Sequence, residues 1–146
     1  MLKLSTKGRY GLRAMLELAN SFGEGPVMMS SISRRQGLSR KYLHALLTSL
    51  KEAGLVRSLR GAKGGYVLTR APETIRVSEV FVAMEGTMAL VDCVRDPSVC
   101  SRSENCTARK MWKDVNDAMA AVLENVTLSD LLLDSGPLSE GERCTG

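Results

Sequence analysis

The sequence predicts a mainly α-helical chain with one small β-hairpin and a long helix near its C-terminal end. Aromatic residues make up only 4% of the chain, so its core must be built from Leu, Val, Met and Ala, which favours helices over a β-sandwich. Leucines recur at helical spacing from Leu43 to Leu50, just after a glycine turn. Three glycines sit between two short runs of strand-forming residues at positions 55–60 and 66–69. With 146 residues, 44% hydrophobic and 25% charged, the chain has the length and composition of one globular domain that needs no disulfide staples.

The elements follow in order. From Thr6 to Phe22, Leu12, Met15, Leu16 and Ala19 recur at helical spacing, and Gly23–Pro26 ends that helix. Met29–Gln36 makes two short helical turns with Ile32 inward. Gly37 tolerates the positive φ of a tight turn, and Ser39 caps the next helix by accepting from a free backbone N–H. That helix, Ser39–Ala53, buries Leu43, Leu46, Leu47 and Leu50 and turns Arg40, Lys41, His44, Thr48 and Lys51 outward. Each buried leucine contributes roughly 1.5–3 kcal/mol. Strands Leu55–Arg60 and Tyr66–Thr69 flank the tip Gly61-Ala62-Lys63-Gly64-Gly65, on which Arg60 and Lys63 place positive charge. A short helix, a glycine turn, a longer helix with a basic outer face and a glycine-tipped hairpin together make a winged helix-turn-helix.

Beyond Pro72, Val77–Met84 is a further short helix, and Gly86–Asn105 reads as an irregular loop. Thr107–Val126 is the long helix, with Met111, Val115, Met119, Val122 and Val126 along one stripe and Ala118 and Leu123 beside it. Thr127-Leu128-Ser129-Asp130 is a capping-box variant that opens a last short helix at Leu131–Leu133. The expected divisions are a winged helix-turn-helix over 1–85, a cysteine loop over 86–106, the long and final helices over 107–134, and a flexible polar tail over 135–146.

Charge is unevenly distributed. Residues 1–70 carry 13 Lys/Arg against 3 Asp/Glu, whereas residues 71–146 carry 7 against 13. A concentrated positive half suits phosphate binding, and the acidic half is expected to face away from it. No run approaches the roughly 20 apolar residues that span a bilayer. The basic N-terminus reads straight into the first core helix and not as a transit peptide. Without a secretory signal the expected compartment is the reducing cytoplasm, where cysteines bind metal or sense redox state more often than they form structural disulfides.

Cys93, Cys100 and Cys106 are spaced C-x6-C-x5-C, unlike the C-x2-C knuckles that wrap one zinc ion. Wide gaps in a loop suit a larger object, and soft thiolates suit iron–sulfur clusters. Cys106 stands just before the long helix, whose N-terminal dipole favours a thiolate. On the residues alone, three loop thiols without a ligand fit equally well. An enzyme is not expected: no nucleophile is paired with a base, the wing glycines lack phosphate-loop spacing, and the single histidine lies on the basic face.

Read together, these pieces resemble the IscR/NsrR/RirA/CymR-type winged-helix regulators of bacteria. The resemblance rests on Ser5-Thr6-Lys7-Gly8-Arg9-Tyr10-Gly11, the hinge Gln36-Gly37-Leu38-Ser39, Tyr42-Leu43, the wing Arg60-Gly61 through Gly64-Gly65-Tyr66, and the cysteines before a long helix. It covers residues 2–134. It implies a homodimer whose long helices cross, with Ser39–Lys51 in the major groove of double-stranded DNA and the wing in the adjacent minor groove. Arg40, Lys41 and His44 would then meet base edges and phosphates, and Arg60, with Lys63 nearby, a narrow A·T minor groove. Lys7, Arg9 and Tyr10, near a helix N-terminus, suit phosphate contacts.

The resemblance also implies a 2Fe–2S or 4Fe–4S cluster on Cys93, Cys100 and Cys106, controlling DNA affinity. The alternative is a regulator of the same fold switched by thiol oxidation or by a partner, without a cluster. Some members place a histidine three residues after the last cysteine, where this chain has Arg109. Others offer an acidic side chain from the partner's first helix, which Lys7–Arg9 does not supply. The fourth ligand is therefore open among Glu17, Asp92, Cys144 and an exogenous small molecule.

Overall fold

The computed structural model describes residues 4–134; the expected tail at 135–146 and Cys144 lie outside the described residues. Its helices are α1 (Thr6–Asn20), α2 (Met29–Gln36), α3 (Arg40–Glu52), α4 (Val77–Glu85), α5 (Asp92–Arg95), α6 (Thr107–Asn125) and α7 (Leu128–Asp134). Strands β1 (Val56–Leu59) and β2 (Gly65–Leu68) form an antiparallel hairpin in which Val56 faces Leu68 and Leu59 faces Gly65. Among the described residues the predicted class is the observed one, helical with one hairpin.

Helix α1 runs through the middle of the core. Of the expected stripe, Met15 and Ala19 are buried, joined by Ala14 and Leu18, while Leu12 and Leu16 are partly covered and pack against the core. Burial reaches beyond the expected stripe because α1 is packed on several sides, against α2, α3, α4, α7 and β2. A carboxylate also sits inside: Glu17, 2% exposed, pairs with Arg35 Nη1 at 2.9 Å and accepts from Gln36 Nε2 at 2.6 Å. These bonds satisfy both of its oxygens and fasten α2 to α1.

The turn into α3 forms as its chemistry requires. Gly37 takes φ +63°, and the Tyr42 N–H donates to Ser39 Oγ at 3.2 Å. Leu43, Leu46, Leu47 and Leu50 are buried together with Ile32. The hairpin is braced by a contact the sequence did not announce. Val27, just before α2, exchanges two backbone bonds of 2.9 Å with Tyr66 and acts as a third strand position. A Cβ at Gly65 would lie 2.4 Å from the Val27 carbonyl oxygen, so this close approach requires glycine.

The loop expected to be irregular is partly helical. It contains α5 and two single turns, at Pro97–Val99 and Ser103–Asn105. Short-range bonds, such as that from the Ser98 N–H to Asp96 Oδ1 at 2.9 Å, build them below the length that periodicity can reveal. Thr127 and Asp130 exchange cap bonds of 2.9 and 3.1 Å, opening α7 at Leu128, three residues before the expected start. Leu128 is fully buried in the same core as α1, so the chain returns to its N-terminal half. Backbone bonds from Val77 N–H to the Val126 carbonyl and from Leu128 N–H to the Ile75 carbonyl secure that return.

Glu79 ties α4 to the wing side, pairing with Arg70 and accepting from the Arg76 N–H at 2.9 Å. Partial burial would raise its carboxyl, but the Arg76 N–H and the Arg70 guanidinium outweigh this and hold it below the ordinary carboxylate range. A depressed folded-state pKa stabilises the fold fully above the unfolded-state value, and that contribution is lost as pH falls through the lower folded value. Thermal midpoints should therefore decline below about pH 4, and Glu79→Gln should flatten part of that decline.

Candidate nucleic-acid interface and cysteine loop

Packing of the leucine stripe leaves the opposite face of α3 to solvent. Arg40, Lys41 and His44 are all exposed there, with Ser39 at the N-cap. At the hairpin tip Arg60 and Lys63 are exposed. The tip is tight: Gly61 has φ +109°, and a Cβ at Gly64 would lie 2.3 Å from the Leu59 carbonyl oxygen.

The first turns of α1 join this face through an aromatic pair. The Tyr10 and Tyr42 rings meet edge to face at 6.3 Å, which sets the beginnings of α1 and α3 side by side. The Arg9 and Arg13 guanidinium carbons lie 6.0 and 5.7 Å from the Tyr10 ring centre. Burial, then the neighbouring Tyr10 and Glu85, raise the Tyr42 phenol above its ordinary value, so it stays protonated at neutral pH. Lys7 is exposed, whereas Arg9 and Tyr10 are half-buried.

The start of α1 is partly occupied from within the chain, because Glu85 from the end of α4 engages two of its donors. The Gly8 N–H donates to Glu85 Oε1 at 3.1 Å, and the Ser5 hydroxyl donates to the same oxygen. Lys7 and Arg9 add positive charge at this corner, where the Gly8 amide is already engaged by Glu85. Sequence reasoning missed Glu85, since nothing in the order of residues pairs position 85 with positions 5 and 8.

The three cysteines of the loop fall on successive short turns. Cys93 is in α5, Cys100 follows the turn Pro97–Val99, and Cys106 is the N-cap residue of α6. All three are half-buried free thiols. Arg109 holds two of these segments together: its N–H donates to Cys106 Sγ at 3.4 Å, and its Nε donates to the Cys93 carbonyl at 2.8 Å. The far side of the loop is fastened by the Leu90 N–H, which donates to Asn116 Oδ1 of α6 at 3.0 Å.

As donors, three thiols on one loop fit the soft-ligand chemistry of an iron–sulfur cluster. Among the described residues, however, no three His, Cys, Asp or Glu side chains converge on a common point. Of the candidate fourth ligands, Glu17 is buried and engaged by Arg35 and Gln36, so it is withdrawn. Asp92 is exposed and pairs with Arg95 at 3.3 Å. His44 stands on α3 and not on the cysteine loop.

A helix-turn-helix with a basic outer face, a glycine-tipped wing and a long helix behind a cysteine loop define a winged-helix transcriptional regulator. The chain belongs to the Rrf2 family, described as iron-dependent transcriptional regulators, whose model matches residues 4–134. It is 42% identical over 130 residues to the HTH-type transcriptional regulator CymR of Bacillus subtilis, covering 89% of each chain. It is 37% identical to the regulator IscR of Erwinia tasmaniensis, covering 90% of this chain and 79% of the relative.

Solved structures agree. CymR, described as the global cysteine regulator of B. subtilis, superposes with a TM-score of 0.78 at 41% identity, over 93% of this chain and 100% of that one. IscR of T. potens gives 0.76 at 42% identity, over 91% and 88%. Among the described residues no helix is long and apolar enough to cross a membrane.

Arg109 generates a differential prediction. Arg109→Ala removes the bond to the Cys93 carbonyl but keeps the backbone N–H that faces Cys106 Sγ. Iodoacetamide should then alkylate Cys93 several-fold faster than in the parent chain, with Cys106 changing less; peptide mass mapping over time measures both.

Proposed function

We propose that the chain is a cytoplasmic, homodimeric, sequence-specific DNA-binding regulator whose affinity for double-stranded DNA is set by its cysteine loop. The observation that carries the DNA assignment is the exposed basic edge formed by α3, the wing and the first turns of α1, opposite a buried leucine stripe. On this reading Ser39, Arg40, Lys41 and His44 enter the major groove, and Arg60 with Lys63 lies in the minor groove. Lys7, Arg9 and Tyr10 form the corner that meets the backbone, where positive charge positions and does not specify.

The dimer assignment rests on α6. None of its residues is buried in the protomer, yet Met111, Val115 and Val122 are 47%, 41% and 63% exposed along one stripe. A second copy crossing that stripe would cover it and set the spacing of two winged helices along the duplex.

Cys93, Cys100 and Cys106 are the residues that would hold an iron–sulfur cluster; when bound, such a group supplies a redox-sensitive charge centre that cross-links the loop. The chain's own residues do the rest. Arg109 keeps the Cys93 and Cys106 segments together, Asn116 anchors the loop to α6, and Gly86 joins it to the DNA-binding core. A cluster-free reading is favoured by one observation, the lack of a converged ligand set among the described residues. In that case thiol chemistry on the same loop is the signal.

Visible absorbance, iron and acid-labile sulfide of anaerobically purified protein separate the two readings. A coloured protein with matching iron and sulfide, whose DNA affinity changes on cluster loss, is the expected result. Colourless, iron-free protein with titratable loop thiols would transfer control to thiol chemistry, and identical affinity in every thiol and metal state would end loop control altogether. For the interface, Arg60→Ala should cost about 1–3 kcal/mol on the selected site and relax its A·T preference. Equal losses on scrambled DNA would contradict base-level reading by Arg60.

A further inference from the structure

The Glu85 carboxylate joins two parts of the molecule that the proposed function uses separately. Glu85 is the last residue of α4, and Gly86 after it takes φ +78° and closes the helix by donating its N–H to the Val82 carbonyl at 2.8 Å. The cysteine loop begins there. On its other side, Glu85 Oε1 accepts from the Gly8 N–H at 3.1 Å and from the Ser5 hydroxyl, the two donors that start α1. Ser5 Oγ itself accepts from the Gly8 N–H at 3.2 Å, so the three groups form a closed network. Lys7 and Arg9 lie on either side of Gly8.

Packing makes this network hard to deform locally. A Cβ at Gly8 would meet Glu85 Oε1 at 3.1 Å and the Phe81 ring at 3.2 Å, so α4 lies directly on the first turn of α1. A negative group at a helix N-terminus stabilises that end electrostatically as well as by hydrogen bonding. A shift of the loop that turns Gly86 must therefore either carry the first turn of α1 with it or break the Glu85 bonds and let that turn fray.

We infer that Glu85 is a positioning residue that transmits the state of the cysteine loop to the start of α1. Its contact with Ser5 and Gly8 sets how Lys7 and Arg9 are presented on the DNA-facing edge. The inference rests on the reading that the loop controls DNA binding, and it names the residue through which that control reaches the DNA-binding domain.

The test uses the full chain carrying Cys144→Ser, with the loop cysteines either free or alkylated by iodoacetamide. The DNA probe is a duplex selected from a random-sequence pool by the unmodified protein. Hydrogen exchange at the Gly8 amide is expected to rise about tenfold on alkylation, with no DNA present. Alkylation should change DNA affinity by about 5-fold or more, a factor that falls toward one in Glu85→Ala and returns in Glu85→Gln, which keeps an acceptor oxygen. An unmoved Gly8 amide, or an alkylation factor that persists undiminished in Glu85→Ala, would overturn the inference. A Gly8 response without any change in DNA affinity would keep the coupling and reject loop control of DNA binding. Should Glu85→Ala fail to fold, the exchange measurement on the parent chain still decides.

Discussion

Helix α4 lies directly on α1, and the close approach depends on two glycines that offer no side chain. A Cβ at Gly11 would stand 2.4 Å from Met84 Sδ, and one at Gly8 would press on Phe81 and Glu85. Helix α1 is also the one that α2, α3, α7 and β2 pack against, so its contact with α4 bears on most of the core. The basic edge lies at the beginning of α1 and α3, and the cysteine loop departs from the end of α4. The contact between α1 and α4 thus holds the two functional regions of the proposed regulator at a defined separation.

Polar bonds inside this frame are few and placed where elements must not slide. Glu17 is fully engaged between Arg35 and Gln36, so a carboxylate that looks like a spare ligand in the sequence is a clamp between α1 and α2. Leaving such a group unpaired in the core would cost several kcal/mol, whereas satisfied on both oxygens it restricts the helices to one arrangement. Arg109 has the same character at the loop. Its side chain binds the peptide carbonyl of Cys93. A guanidinium donates hydrogen bonds but offers no lone pair to a metal, so this chain organises its loop with a donor at that position.

Much of the fold was legible in the residues because the signals were local. The leucine stripe, Gly37, the Ser39 cap, the glycine tip and the Thr127–Asp130 box each act over a few positions, and each formed an element close to the expected bounds. The short turns of the cysteine loop were not legible, since four residues are too few to display a helical period. The full extent of burial on α1, which includes Ala14 and Leu18, was not legible for a different reason. Periodicity identifies an apolar face, but the number of neighbours that cover the helix decides how far burial extends around it. On the site, exposure of Arg40, Lys41, His44, Arg60 and Lys63 followed from the patterning, while the occupation of the α1 N-terminus by Glu85 did not.

The sequence by itself determined the element types, the membership of a winged-helix family, the separation of basic and acidic halves, and the candidate thiol donors. These depend on side-chain chemistry and on spacings of a few residues. Tertiary structure decided that α7 returns to bury Leu128 beside α1, that Val27 joins the wing through Tyr66, that Arg109 binds Cys93, and that Glu85 closes the start of α1. Each of these joins positions brought together only by the packing of whole helices and strands. No short-range preference of the chain encodes such a meeting.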